Sequence, residues 1–163
     1  MYTKNDDLLL SLKGIVEGEK NLIANLSNIS SVIFNSLPEL NWVGFYFWSK
    51  IEQELVLGPF QGQPACIRIK ANKGVCGACY TTKKVQLVPD VSLFSGHIAC
   101  DSATNSELVI PLFKDPSKNE CLGVLDLDSP KFNRFNQQDV DLIEKCVDQV
   151  IAKLDWSALD KIY

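Results

Sequence analysis

Between Ser95 and Glu107 the chain reads S-G-H-I-A-C-D-S-A-T-N-S-E, a stretch that gathers the only histidine, His97, with Cys100 and two acids, Asp101 and Glu107. Glycine and small polar residues separate these groups, so the segment reads as an ordered functional loop and not as core. Strand-like runs, V-Q-L-V before it and E-L-V-I-P-L-F after it, would hold both ends and present its side chains at defined positions. A cysteine, a histidine and an acid invite nucleophilic catalysis by a thiolate. Two features weigh against a protease-like pair: His97 lies three residues from Cys100 on one loop, and no glycine-rich oxyanion motif accompanies it. A histidine that supports the loop by hydrogen bonding is the simpler expectation.

The remaining cysteines supply other chemistries to weigh. Cys76-Gly-Ala-Cys79 is a C-x-x-C, but no second pair completes a zinc site at the usual spacing, and Cys66 with Cys100 or His97 would have to do so from distant loops. A thioredoxin-like dithiol would need a βαβ setting, which is missing. Cys79, Cys121 and Cys146 fit small, inert packing residues, since free cysteine packs like a small hydrophobe. Cys66, Cys76 and Cys100 sit near glycine, proline or polar residues and suggest a third chemistry: one thiolate attacks a substrate atom and a second thiol resolves the product as a disulfide. A nearby carboxylic acid would donate a proton to a polar leaving oxygen. Glu107 is placed for that, as are Asp126 and Asp128, which stand two apart in a strand pattern and therefore share one face.

With 163 residues the chain is the right size for one domain, able to bury roughly two-thirds of the surface exposed by its unfolded form. A net charge of -4 gives no reason to expect nucleic acid or an anionic membrane as partner. No stretch resembles a signal peptide or approaches the ~20 apolar residues of a membrane span, so a cytoplasmic protein is expected. Without a secretory signal, six cysteines argue for thiols in a reducing compartment and not for a disulfide framework.

The elements that must position these residues follow from periodicity. Leucine, isoleucine and valine recur at three- and four-residue steps over about residues 5–37, with a break at Gly18 and a stop at Pro38, which predicts two helices. N-W-V-G-F-Y-F-W-S and E-L-V-L-G-P-F predict a hairpin. A short strand follows, with Cys66 and Arg68 on one face and Ile67 and Ile69 on the other. V-C-G-A-C-Y-T-T-K reads as a short helix whose Gly77 and Ala78 allow close packing. K-V-Q-L-V-P-D, E-L-V-I-P-L-F and C-L-G-V-L-D-L-D-S are strands, and Asn136 caps a final helix from Gln137 to about residue 154. This order implies an α+β fold: a central antiparallel sheet over about residues 42–130, flanked by N- and C-terminal helices, with a pocket expected over one sheet face.

The segments N-W-V-G-F-Y, L-G-P-F-Q-G-Q-P-A-C, K-G-V-C-G, V-P-D-V, G-H-I-A-C-D-S-A-T-N-S-E and G-V-L-D-L-D-S-P closely resemble the free methionine-(R)-sulfoxide reductases, which are stand-alone GAF domains. The likeness runs from about Trp42 to Phe135, and both helical flanks fit it. It implies a single GAF domain that reduces free L-methionine (R)-sulfoxide, with Cys100 as nucleophile and Cys66 and Cys76 as the thiols that resolve or relay the disulfide. It further implies that Glu107 and Asp128 hold and protonate the sulfoxide oxygen, that Asp126 binds the substrate ammonium, and that Trp42 and Tyr46 line the pocket. Thioredoxin would reduce the disulfide, no metal or organic cofactor would be needed, and a homodimer would be usual. The rival expectation is a non-catalytic GAF module that binds a small ligand or senses oxidation. Which of Cys66 and Cys76 bonds first to Cys100 stays open.

Overall fold

The computed structural model describes residues 4–97 and 100–163. Two helices, α1 (Lys4–Val16) and α2 (Leu22–Ser36), precede the strands β1 (Trp42–Ser49), β2 (Glu54–Gly62) and β3 (Arg68–Lys70). Helix α3 (Gly74–Thr82) and strand β4 (Gln86–Val88) come next, followed by β5 (Ser106–Phe113), β6 (Cys121–Ser129), α4 (Gln137–Gln149) and the short α5 (Leu159–Ile162). The strands form one six-stranded antiparallel sheet in the order β3-β2-β1-β6-β5-β4. The α+β architecture expected from the sequence is therefore the one observed.

Alternation along the three central strands sorts the sheet into two faces. Val43, Phe45 and Phe47 of β1, Leu108, Ile110 and Leu112 of β5, and Leu125 and Leu127 of β6 point to the side covered by α1, α2 and α4. Phe45 and Phe47 are fully buried there, and truncating either to alanine would cost about 3–5 kcal/mol. The other face carries Trp42, Tyr46, Val109 and Val124 and packs against α3. Glu107, Asp126 and Asp128 occupy the matching alternate positions on that second face, so a period-2 pattern places three acids on one surface.

The helix ends follow their local chemistry. Asn21 caps α2 by accepting from Ala24 N–H at 2.9 Å. Asn136 accepts from Gln138 N–H and Asp139 N–H, while the Asp139 carboxylate accepts from Asn136 N–H at 2.9 Å, a reciprocal capping box that sets the start of α4. That helix is shorter than its apolar stripe predicts. At Val150 the backbone leaves helical geometry (φ -124°, ψ -63°), and Ile151–Lys153 continue as a 3-10 turn that still buries Val150 and Ile151.

A second difference lies before β3. Cys66 and Ile67 stand outside the strand, and Ile67 is exposed while Ile69 is buried, so the two isoleucines do not share a face. The Cys66 carbonyl accepts from the Tyr46 hydroxyl at 2.9 Å instead of joining a ladder, and Pro64 just upstream has no N–H to donate. Helix α3 does pack closely, as its small residues predict: a Cβ on Gly77 would lie 2.6 Å from the Lys70 carbonyl oxygen.

Candidate active site

On the second sheet face, β1, β5 and β6 converge at one end beneath α3 and the loop that carries Cys100. Asp128 is paired with Trp42 on one side and Glu107 on the other, and Asp126 with Gly44 and Val109. Gly44 leaves room for the neighbouring indole, since a Cβ there would meet Trp42 Cη2 at 2.6 Å. Trp42 then stacks between Tyr46 and Phe60, with centroids 5.8 and 5.2 Å away, and its Nε1–H donates to the Gln63 carbonyl. These stacked rings form an aromatic wall, of which Trp42 and Tyr46 line the same cavity as the acids.

Sulfur approaches from two directions. Cys66 and Cys100 form a disulfide, with Cα atoms 5.3 Å apart. Cys76, in the first turn of α3, is a buried thiol whose Sγ donates to Asp126 Oδ2 at 3.2 Å and lies 3.9 Å from Glu107 Oε1. Cys79 turns elsewhere, toward the Val109 carbonyl at 3.6 Å, so the C-x-x-C does not act as a pair. Cys121 and Cys146 are buried away from the site, in keeping with packing roles.

The cavity between these groups is small, about 40 Å³, and is lined by Trp42, Tyr46, Cys76, Cys100, the acids and His97. A larger groove of about 260 Å³ lies on the helix side of the sheet near Phe113, Pro116 and Val147, but no cysteine lines it. Chemistry, not volume, singles out the smaller space.

Electrostatics in this space are dominated by burial. Glu107 is held well above the usual carboxylate range, first by desolvation, then by the charges of Asp126 and Asp128, and further by hydrogen bonding with Asp126. Asp126 is pushed up to about 6 by burial, against hydrogen bonds from Cys76 and Glu107 that favour its charged form. Asp128 is raised by burial and by Asp126, opposed by a hydrogen bond with Thr104. Near neutrality the cluster therefore keeps Glu107 protonated while Asp126 ionises more readily, which divides donor from anion. Cys76 gains from its helix N-terminal position, yet burial and the flanking carboxylates win and raise its thiol well above the ordinary value. Tyr46 is raised as well, chiefly by burial, and stays a neutral donor to Cys66.

Every site residue named from sequence lines this cavity or bonds to a group that does: Cys100, Cys76, Glu107, Asp126, Asp128, Trp42 and Tyr46 line it, and Cys66 is joined to Cys100. His97 also lines it, its imidazole pKa lowered by burial, and its main-chain N–H donates to the Phe94 carbonyl in a turn. Residues 98 and 99 of the H-I-A-C run lie outside the described residues. Sequence reasoning missed Asn41. Its Nδ2 donates to Asp101 Oδ2 at 3.0 Å and Thr104 Oγ1 at 3.1 Å, tying the Cys100 loop to the start of β1. Its main-chain N–H donates to the Asp128 carbonyl. An asparagine ahead of a strand carries no signal of such a role.

Comparison with known proteins agrees with this geometry. The GAF domain model matches residues 22–154. Protein YtsP of Bacillus subtilis is 50% identical over 132 residues, 81% of this chain and 79% of its own length. The free methionine-R-sulfoxide reductase of Escherichia coli is 43% identical over 149 residues, 91% of this chain and 85% of its own. The crystal structure of free methionine-R-sulfoxide reductase from Neisseria meningitidis in complex with its substrate superposes with a TM-score of 0.83 at 36% identity, covering 88% of this chain and 84% of that one. With the cysteines and acids assembled on the same sheet face, the chain belongs to the GAF domain family and, within it, to the free methionine-R-sulfoxide reductases.

Proposed function

We propose that this protein reduces free L-methionine (R)-sulfoxide to L-methionine by thiol chemistry at Cys100, and that a thioredoxin-type dithiol recycles it. The observation that carries this reading is the Cys66–Cys100 disulfide bordering a cavity floored by three buried or half-buried carboxyl groups. A sulfoxide sulfur is a weak electrophile until its oxygen is protonated or strongly hydrogen-bonded, and a protonated Glu107 supplies that proton. Similarity to reductases from several organisms supports the same substrate.

The reaction balances as follows. The Cys100 thiolate attacks the sulfoxide sulfur while Glu107, aided by Asp128, protonates the oxygen; methionine leaves and Cys100 is oxidised to a sulfenic acid. The Cys66 thiol then attacks the sulfenic sulfur, forming the disulfide and releasing water. An external dithiol reduces the disulfide, first through a mixed disulfide, and is itself oxidised. Asp126, as the more readily ionised acid, binds the substrate ammonium. Trp42 and Tyr46 pack the thioether and methyl group. Cys76 relays the disulfide by attacking one of its two sulfurs, which forms a new disulfide with that cysteine and releases the other as a thiol. The reading requires neither metal nor organic cofactor, and treats the chain as a single domain working in the cytoplasm, alone or as a homodimer.

The test is incubation with each epimer of free methionine sulfoxide and a dithiol, followed by quantification of methionine. Catalytic release from the R epimer is expected. Its absence, with the protein shown to be folded, would return the chain to the class of GAF modules that bind a ligand without turning it over.

A further inference from the structure

Cys76, Glu107 and Asp126 present one sulfur and two carboxylate oxygens that all lie within 4.8 Å of one another. Tetrahedral zinc bonds sulfur at about 2.3 Å and carboxylate oxygen at about 2.0 Å, which sets the ligand sulfur and oxygen roughly 3.5 Å apart. The observed distances from Cys76 Sγ, 3.2 Å to Asp126 and 3.9 Å to Glu107, bracket that value. Each ligand comes from a different rigid element, α3, β5 and β6, so the set is held in place without a bound ion.

Two features of this cluster favour a cation. Asp126 is only 6% exposed, and beyond the Cys76 thiol and the Glu107 carboxyl nothing in the described chain donates to it, its Oδ1 lying buried without a partner, so a positive group is favoured there. Among the described residues the cavity lining also includes four carboxyl groups, of Asp101, Glu107, Asp126 and Asp128, and no lysine or arginine. Its roughly 40 Å³ is enough for one water to complete a fourth coordination position beside three protein ligands.

We propose that Cys76, Glu107 and Asp126 form a three-ligand site for a thiophilic divalent cation of the zinc type, which occupies the cavity in competition with substrate and stops turnover reversibly. Coordination displaces the thiol proton of Cys76 and the carboxyl proton of Glu107 to the buffer and leaves a thiolate and a carboxylate as ligands. Nothing is oxidised or reduced in this step. The ion sequesters Cys76 and fills the space the sulfoxide would use. The binding itself does not depend on the reductase reading; only the competition does.

The experiment uses the full chain in its Cys66–Cys100 disulfide form, so that neither of those sulfurs can ligate. Equilibrium dialysis and calorimetry with Zn2+ alone are expected to show one ion per chain, with affinity reduced at least ~10-fold in Cys76→Ser and in Asp126→Asn. No uptake, or equal affinity in both variants, would overturn the proposal. Co2+ as a spectroscopic probe needs no variant: a thiolate-to-cobalt charge-transfer band with tetrahedral visible absorption is expected from the unsubstituted protein. Cobalt bound without the thiolate band would also overturn it. Methionine (R)-sulfoxide should displace the cobalt and bleach the band. If the band forms but the sulfoxide leaves it unchanged, the metal site stands and the placement of substrate fails.

Discussion

Glu107→Gln separates a proton donor from a structural buried acid, because the two roles move activity and stability in opposite directions. Glu107 is 7% exposed on β5 and faces Cys76 from α3, Asp126 and Asp128 from β6, and the cavity that also contains Tyr46, His97 and Asp101. Glutamine keeps its volume and can still hydrogen-bond the sulfoxide oxygen, but it cannot transfer a proton. General acid catalysis is worth about 10²–10⁴ in rate, and a retained hydrogen bond puts the expected loss near the lower end, about 10²-fold in methionine release. Stability should respond with the other sign. The folded-state pKa of Glu107 is raised by burial and by its carboxylate neighbours, so the folded protein holds a proton that the unfolded chain releases. Its contribution is therefore fully present below the unfolded pKa and is lost as pH rises through the folded value. Glutamine removes that loss, so the variant should melt at the same or a higher temperature than the parent at pH 8. Rapid-quench measurement of methionine without reductant, paired with thermal melts at pH 5 and pH 8, reads both. A rate within about threefold of the parent would show that another group protonates the oxygen, and a variant destabilised at pH 8 would show that Glu107 is retained for the hydrogen bonds its carboxyl makes.

Other residues of the site yield separate tests. Cys100→Ser should release no methionine, whereas Cys66→Ser should release about one equivalent in a single turnover and then stall; equal loss in the two would contradict their assignment as attacker and resolver. Asp126 ionises at about 6, so the KM for methionine sulfoxide should rise as pH falls through that value, and Asp126→Asn should raise KM at neutral pH and flatten the dependence; an unchanged profile would place the ammonium elsewhere. Asn41→Ala should lower turnover by roughly tenfold, within the range that small misplacements of a reacting group produce, while its hydrogen bonds to Asp101 and Thr104 predict little effect on KM. A parental rate in that variant would show that the Cys100 loop holds its position without the anchor.

The division between what the residues disclosed and what needed the fold follows a physical line. Period-2 alternation is strictly local, so Asp126 and Asp128 could be assigned a common face from their spacing alone, and the N-cap at Asn136 was equally readable. Cross-strand register is not local: that Asp128 lies between Trp42 and Glu107 depends on pairings over 86 and 21 residues of separation, and no periodicity encodes them. The pairing of Cys66 with Cys100 rather than Cys76 is of the same kind. It goes with the stretch before β3 leaving the ladder, where the Cys66 carbonyl meets the Tyr46 hydroxyl and strand alternation had predicted continued sheet. Cys76 has a separate environment, set by the packing of α3 on the acids of β5 and β6. From their glycine, proline and polar neighbours alone, each of the three cysteines could attack or resolve. Instead one is locked beneath α3 against two acids, with its thiol held protonated, while the other two are within bonding reach of each other. Burial thus gives three chemically identical side chains different surroundings, two joined to each other and the third held against Asp126 and Glu107.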